Sequence, residues 1–416
     1  MRTYSTIVSI FTTAILIIFC CLQFGCESTT EPKNVLPSLQ LTADQLQITN
    51  STDAFGLKLF REITKQESEP NIFISPLSVS MALSMTANGA AGTTFDSMRA
   101  TLELGDMTEE QSNAASNSLI DLLTGADPKV QLDIANAIFY LQELTFLDDF
   151  YQRCSDFFNA AVEGLDFSSD DAVITINNWV DENTNGKIEE IIEPPIDRGT
   201  VMFLLNAIYL KGTWTYEFEP EDTEDDLFTI ADGSQVACKM MEREADLPYL
   251  SSERFQAVDL PYGAGIFSMT VLLPEPDVSV DDLITDMTTE NWSAWINALG
   301  TAGIRLQLPK FKIDYELAME PVLTSLGMGV AFGGGADFSR MHATAQLFIS
   351  KVTHKSFVEV NEEGTEAAAV TVVEIVWTSI GDDSPRLFRV DRPFVFAIRE
   401  RSSGAILFIG KIGQPE

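Results

Sequence analysis

Histidine is almost missing from this chain of 416 residues, which has only His342 and His354. That leaves little material for a histidine-rich metal centre or for histidine-assisted nucleophilic catalysis. Cysteine is sparse too, five in all, with no close CxxC pair or Cys/His cluster, so zinc and dithiol redox motifs are absent. Lys and Arg number 26 against 62 Asp and Glu, a formal net charge of −36. Nucleic-acid binding needs a basic face to neutralise phosphates, so that class is disfavoured. Such charge keeps a protein soluble and speeds its encounter with a basic partner. Neither a GxSxG elbow, an HExxH pair, a Walker loop nor a GxGxxG after a strand occurs, and no cofactor or metal is expected. Phe332-Gly-Gly-Gly-Ala336 lacks the Lys and Ser/Thr of a phosphate cradle and reads as a turn. His354 could serve a buried serine as base, but its apolar strand pattern favours a structural hydrogen bond.

What the chain does have is apolar residues, at 45%, and aromatics, at 10%, enough for a large core. Over 49–65, Ala54, Phe55, Leu57, Leu59, Phe60 and Ile63 form a helical stripe, with Ser51, Thr52 and Asp53 as candidate caps. Ser75-Pro76 opens a second helix rich in small residues, and 108–123 reads as a surface helix. A strand over 130–141 is followed by an aromatic helix through Phe150, Phe157 and Phe158. The stretch 170–192 is amphipathic through Ile174, Ile176, Trp179, Val180, Ile188 and Ile191, and breaks at Asn183-Thr-Asn-Gly186. The run 202–210, apolar except for Asn206, suits a doubly buried central strand. A short helical pair is expected over 281–299, then strands at 304–311, 345–352, 388–399 and 405–412. With no repeat and no long internal linker, 41–416 is expected to be one mixed α+β domain.

The N-terminus reads as a targeting segment, 1–25: Arg2 is followed by an apolar run, 7–22, too short and poorly flanked for a membrane span. Gly25-Cys26 resembles a bacterial lipoprotein cleavage site whose cysteine is lipidated, although Gln23 and Phe24 stand where an aliphatic and a small residue are usual. Plain signal cleavage and secretion is the alternative. Residues 26–40 read as a flexible tether. An exported protein is therefore expected, extracellular or in the cell envelope, touching membrane only through an N-terminal lipid. Cys154 and Cys238 could bridge in that setting, but two isolated cysteines are more often unpaired.

The most informative stretch is Val360 to Ser379, VNEEGTEAAAVTVVEIVWTS. At a period of two, Thr365, Ala367, Ala369, Thr371, Val373 and Ile375 make an uncharged face, while Glu366 and Glu374 fall on the other. This strand pattern runs into Gly381-Asp382-Asp383-Ser384-Pro385, a turn-former cluster suited to an exposed loop. An ordinary strand before an ordinary loop would explain it. So would a strand that is not always inserted.

VNEEGTEAAAVT resembles the hinge of the serpins, the serine-protease-inhibitor superfamily. Asn71-Ile-Phe-Ile-Ser-Pro-Leu-Ser78, Leu205-Asn-Ala-Ile-Tyr-Leu-Lys-Gly-Thr-Trp214, Ser350-Lys-Val-Thr-His-Lys355, Asp391-Arg-Pro-Phe-Val-Phe396 and Leu407-Phe-Ile-Gly-Lys411 resemble further serpin segments, in serpin order. The resemblance implies the serpin fold: a large central mixed sheet, smaller sheets, eight to nine helices and an exposed reactive loop over about 362–386. It implies a monomer that is not an enzyme but an irreversible inhibitor of serine proteases, with cysteine proteases as a further class. The hinge would comprise Glu362, Gly364, Thr365, Glu366, Ala367, Ala368 and Ala369. Family spacing places the reactive bond at Thr378-Ser379, with Val376 and Trp377 as alternatives, which suits elastase-like or chymotrypsin-like proteases and not trypsin-like ones. Ser75, Ser78, Asn206 and His354 would form a polar cluster beneath the centre of the sheet, with Trp214 at the top of the opening. A binding protein that uses the scaffold without trapping a protease is the competing reading.

Overall fold

Residues 38–344, 346–365 and 384–415 are described by the structure, a computed structural model. The targeting segment, Cys26 and most of the tether lie outside the described residues, as do Glu366, Ala367, Ala368, Ala369, Val376, Trp377, Thr378 and Ser379.

Helix α1 (Ala43–Gln66) starts earlier than its apolar stripe suggests. Its cap is Thr42, whose hydroxyl accepts from the Gln45 N–H while the Gln45 side chain accepts from Thr42 N–H, a reciprocal capping box. Ser51, Thr52 and Asp53 are therefore not caps but buried positions within the helix. Asp53 Oδ1 accepts the Ile406 N–H at 2.9 Å, which is why an acid is tolerated there. Burial pushes its carboxyl up to about 8, against the Ile406 hydrogen bond and the Arg399 charge. The short strand β1 (Ile72–Ile74) leads to α2 (Pro76–Ala87), capped by Ser75 and, as its small-residue content suggests, buried all round. Next come α3 (Gly92–Thr101), α4 (Glu109–Thr124) capped by Thr108, β2 (Val130–Leu141), α5 (Asp148–Phe158), β3 (Ala161–Leu165) and α6 (Asp170–Asn183). Then follow β4 (Met202–Thr213), β5 (Glu224–Thr229), β6 (Gln235–Ser251), β7 (Phe255–Pro261) and β8 (Phe267–Pro274). The helical pair is α7 (Val280–Thr285) and α8 (Thr289–Asn297).

The strand expected over 304–311 is the meeting of two, β9 (Gly300–Pro309) and β10 (Phe311–Ala318), with Lys310 between them. After the short α9 (Glu320–Leu323) the chain departs from the expected order of strands. Residues 346–352 form no strand, because Ile349 N–H goes to the Ala331 carbonyl and Val352 N–H to the Glu320 carboxylate. The strand is β11 (Thr353–Val360), followed by β12 (Gly364–Thr365), β13 (Arg386–Arg389), β14 (Phe394–Glu400) and β15 (Ile406–Ile412).

Two sheets organise these elements. One has six strands in the order β10-β11-β12-β4-β2-β3, mixed because β2 and β3 run parallel. The other has nine, ordered β1-β15-β14-β8-β7-β6-β9-β13 with β5 attached to β6. Helix α2 touches both β4 and β15, so it fills the space between the sheets. Stacked rings of Phe73, Phe396 and Phe408, with centroids 5.3–5.6 Å apart, continue that core. On the far face of the six-stranded sheet, α6 lays Ala172, Ile176 and Val180 over Ala137, Phe139 and Leu205. Ile174, expected in that stripe, is 55% exposed, since two residues along a helix turns the side chain to the other side. Cys154 and Cys238 are both free and buried, one in α5 and the other in β6. The mixed α+β architecture has nine α-helices among the described residues.

Candidate functional site at the gap in the six-stranded sheet

Strand β12 is only two residues long, and it wedges β4 and β11 apart. Thr365 stands opposite Gly212 on one side and Val360 on the other, and Gly364 opposite Thr213. β12 is antiparallel to both neighbours, so β4 and β11 run parallel to each other. Below Thr365, no described strand lies between 202–211 of β4 and 353–359 of β11, and their facing edges have no ladder partner among the described residues. This corrects the expectation that β4 is doubly buried. Leu204, Asn206 and Ile208 are only half-buried because they line clefts along this gap. The clefts run from Thr365 and Phe357 at the hinge, past Asn206 and His354, to Met202 and Val352 at the far end.

The polar cluster sits beneath the middle of the gap. Ser75 Oγ donates to the Leu407 carbonyl at 2.7 Å and accepts from the Ser78 N–H at 3.2 Å. Ser78 Oγ donates to the Asn206 carbonyl at 3.4 Å. His354 Nε2 accepts the Ser75 N–H at 3.1 Å, so the buried ring is a helix-anchoring acceptor and not a base poised on a serine hydroxyl. Thus Ser75, Ser78, His354 and Asn206 come together. Two partners escaped the sequence reading: Asn136, whose Oδ1 accepts from Asn206 Nδ2 at 2.7 Å, and Ser356, which donates to the Phe73 carbonyl at 2.6 Å. Asn136 and Asn206 are directly opposite on β2 and β4, each interrupting an apolar run, a coincidence that could have disclosed the pair.

Burial pushes His354 down to about 4, below its usual 6.5, since a charged ring there would lose its hydration. Protonation would also turn Nε2 from acceptor to donor against the Ser75 N–H. The unfolded chain takes up this proton as pH falls from 6.5 toward 4, whereas the folded one does not, so stability is lost across that window. Lowering pH from 7 to 5 should cost about 2 kcal/mol from this group alone. Urea unfolding midpoints of the parent and His354→Gln at both pH values check it, with the variant expected to lose less by that amount. Equal losses would mean that His354 does not titrate on unfolding.

Trp214 lies apart from this cluster, beside Asn361 and Glu363 at the hinge. Its backbone N–H donates to the Glu363 carbonyl at 2.9 Å and its indole Nε1 to the Asn361 carbonyl at 3.0 Å. Glu362 receives Lys310 Nζ at 2.7 Å and Thr223 Oγ1 at 2.9 Å, and its carbonyl receives the Phe218 N–H. Burial alone would raise the Glu362 carboxyl, but the hydrogen bonds from Lys310 and Thr223 outweigh it and hold the group below its usual range. Gly364 fits because a Cβ there would stand 2.1 Å from the Gly212 carbonyl oxygen. Thr365, a residue of the expected hinge, is already in the sheet, 3% exposed, with its hydroxyl 2.6 Å from that of Tyr262. Lys310, Thr223 and Tyr262 carry no local sequence signal. Their roles arise only when distant strands meet.

The model of the serpin family, described as serine protease inhibitors, matches residues 50–415. Human serpin B9 is 36% identical over 376 residues, covering 88% of this chain and 99% of that protein. The leukocyte elastase inhibitor of Xenopus laevis is 34% identical over 375 residues, covering 87% and 97%. Among solved structures, the native state of tengpin, a thermophilic serpin, aligns with a TM-score of 0.81 at 32% identity, over 91% of this chain and 96% of that one. Human thyroxine-binding globulin aligns at 0.82 and 28%, over 90% and 100%. A family model spanning the described fold, and relatives above 30% identity along nearly their whole length, place this chain in the serpin family.

Proposed function

We propose that this protein is a suicide inhibitor that traps serine proteases, those of elastase-like specificity first, by inserting its own bait segment into the six-stranded sheet. The observation that carries the reading is the two-residue strand Gly364–Thr365 at the head of a gap whose edges are both unpaired among the described residues. Continuing its register down the gap would set Ala367 opposite Leu210, Ala369 opposite Ile208, Thr371 opposite both Asn206 and His354, and Ile375 opposite Met202. The small apolar residues would then meet the apolar edge, and the one polar residue between them would meet the polar cluster. The inserted strand would be antiparallel to both neighbours.

In this mechanism the protease serine attacks the Thr378 carbonyl, the bond to Ser379 breaks, and the acyl-enzyme is carried away as the freed end inserts. Deacylation then competes with insertion. Thr378 before the cut suits a small apolar primary pocket, Val376 or Trp377 serving in neighbouring registers. The name of the leukocyte elastase inhibitor is consistent with that choice, whereas thyroxine-binding globulin, a binding protein by name, marks the alternative.

Mixing the protein with an elastase-like serine protease and running a denaturing gel separates the two. Inhibition predicts a covalent band near the summed masses, a cleaved band, and a released peptide beginning at Ser379. A protein that is only cleaved, or left intact, by every elastase-like and chymotrypsin-like enzyme tried would sink the inhibitory reading.

A further inference from the structure

We propose that Tyr262 is a positioning residue for insertion, whose hydroxyl holds Thr365, and with it the hinge, inside the sheet before any bond is cut. The proposal rests on the inhibitory reading for its kinetic consequence but not for the contact itself. Tyr262 follows β7, and its ring is fully buried and stacked on Trp214 with centroids 4.5 Å apart and planes at 14°. Its backbone bridges Trp214, and its N–H donates to the Phe267 carbonyl at 2.9 Å, so the ring is fixed from both ends. Gly212 lies against it closely enough that a Cβ would come within 3.2 Å of the ring. The phenol therefore has one direction in which to point. There it meets Thr365 Oγ1 at 2.6 Å, and among the described residues neither hydroxyl has another partner.

Two consequences follow from elementary hydrogen-bond energetics. With both hydroxyls present, each satisfies the other in a buried place. Removing one strands its partner, which favours the hinge leaving the sheet, whereas removing both restores an apolar contact and removes the penalty. Two single changes and one double change should therefore behave as a non-additive cycle. A docked Thr365 also means that insertion after cleavage starts with its first residue already paired, and that Thr365 is not free to lengthen the segment a protease must reach. Releasing the hinge should speed protease association yet slow the first step of insertion. A general loss of folding would not raise an association rate.

The experiment uses the full-length protein, Tyr262→Phe, Thr365→Val and the double variant. The first measurement, hydrogen exchange of the peptide spanning Gly364 and Thr365, needs no protease. Protection is expected in the parent, exchange about tenfold faster in each single variant, and a return to within about twofold in the double. The second measures association rate and stoichiometry of inhibition with an elastase-like serine protease. Both should rise in the single variants and fall back in the double. Hinge amides that exchange as fast in the parent as in Tyr262→Phe, or a double variant no better than the singles, would overturn the proposal. If the exchange cycle behaves as expected while the parent traps no protease, the positioning contact stands and the inhibitory reading falls.

Discussion

A single cut within 376–379 is expected to raise the thermal unfolding temperature by on the order of 15 °C. The free edges of β4 and β11 are the reason. Below Thr365 both strands present unpaired backbone groups to the gap among the described residues, and one antiparallel strand would satisfy both edges at once. A net hydrogen bond contributes about 0.5–1.5 kcal/mol, so a ladder of about ten to fifteen new bonds is worth about 10 kcal/mol. The buried face of Ala367, Ala369, Val373 and Ile375 adds to it. In a domain of this size each kcal/mol moves the midpoint by about 1–2 °C. On the inhibitory reading, the uncut protein would be kept from this state because the chain is anchored at Thr365 in β12 and again at Arg386 in β13. The cut would then release a kinetic trap. Thermal scans before and after limited proteolysis check this, with the cut confirmed by mass. An unchanged midpoint would mean that the segment does not insert, whatever else the protein does.

Much of the fold was legible because its signals are local or periodic, whereas Ser75, Ser78, Asn206, Trp214 and His354 were singled out as site residues only by the serpin resemblance. Ser75 and Thr108 announce their helices through side-chain caps. The strand over 130–141 shows as an apolar-rich run, and the alternation after Thr365 is a pattern at period two. What could not be read depends on partners far away in the chain. Asp53 looks like a cap until the Ile406 N–H, from a strand near the C-terminus, is placed beside it. The run 346–352 has the composition of a strand, yet its backbone groups are taken by Ala331 and Glu320. Lys310 looks like any charged residue between two strands until Glu362 folds back onto it. Above all, the serpin resemblance, and not composition or period, separates the hinge from an ordinary strand, and none of them says how far it is already inserted. That answer comes from the contact between Thr365 and Tyr262, which no spacing in the sequence foretells.

Thr365→Arg should convert the protein from an inhibitor into a substrate. The Thr365 side chain lies in a buried site against Tyr262, with Gly212 opposite and Trp214 stacked behind. A guanidinium there has no acid to pair with among the residues that line the cleft. Burying an unpaired charge costs several kcal/mol, so the variant's hinge should leave the sheet before any cut, and even about 3 kcal/mol needed to bring it back slows insertion by about two orders of magnitude. Deacylation then finishes first, and the protease is released active beside a cleaved product. On a denaturing gel the covalent band should fade while the cleaved band grows, with the stoichiometry of inhibition rising about tenfold or more. Glu366→Arg supplies the control, because its side chain belongs to the face that also carries Glu374, where a charge already stands in the natural sequence. A charge change on a face that stays in solvent would cost at most about 1 kcal/mol, so trapping should survive. If the two variants lose trapping equally, charge as such is at fault and the assignment of the inward face to Thr365, Ala367 and Ala369 is wrong. If neither loses it, the hinge does not enter the sheet on the path to the complex.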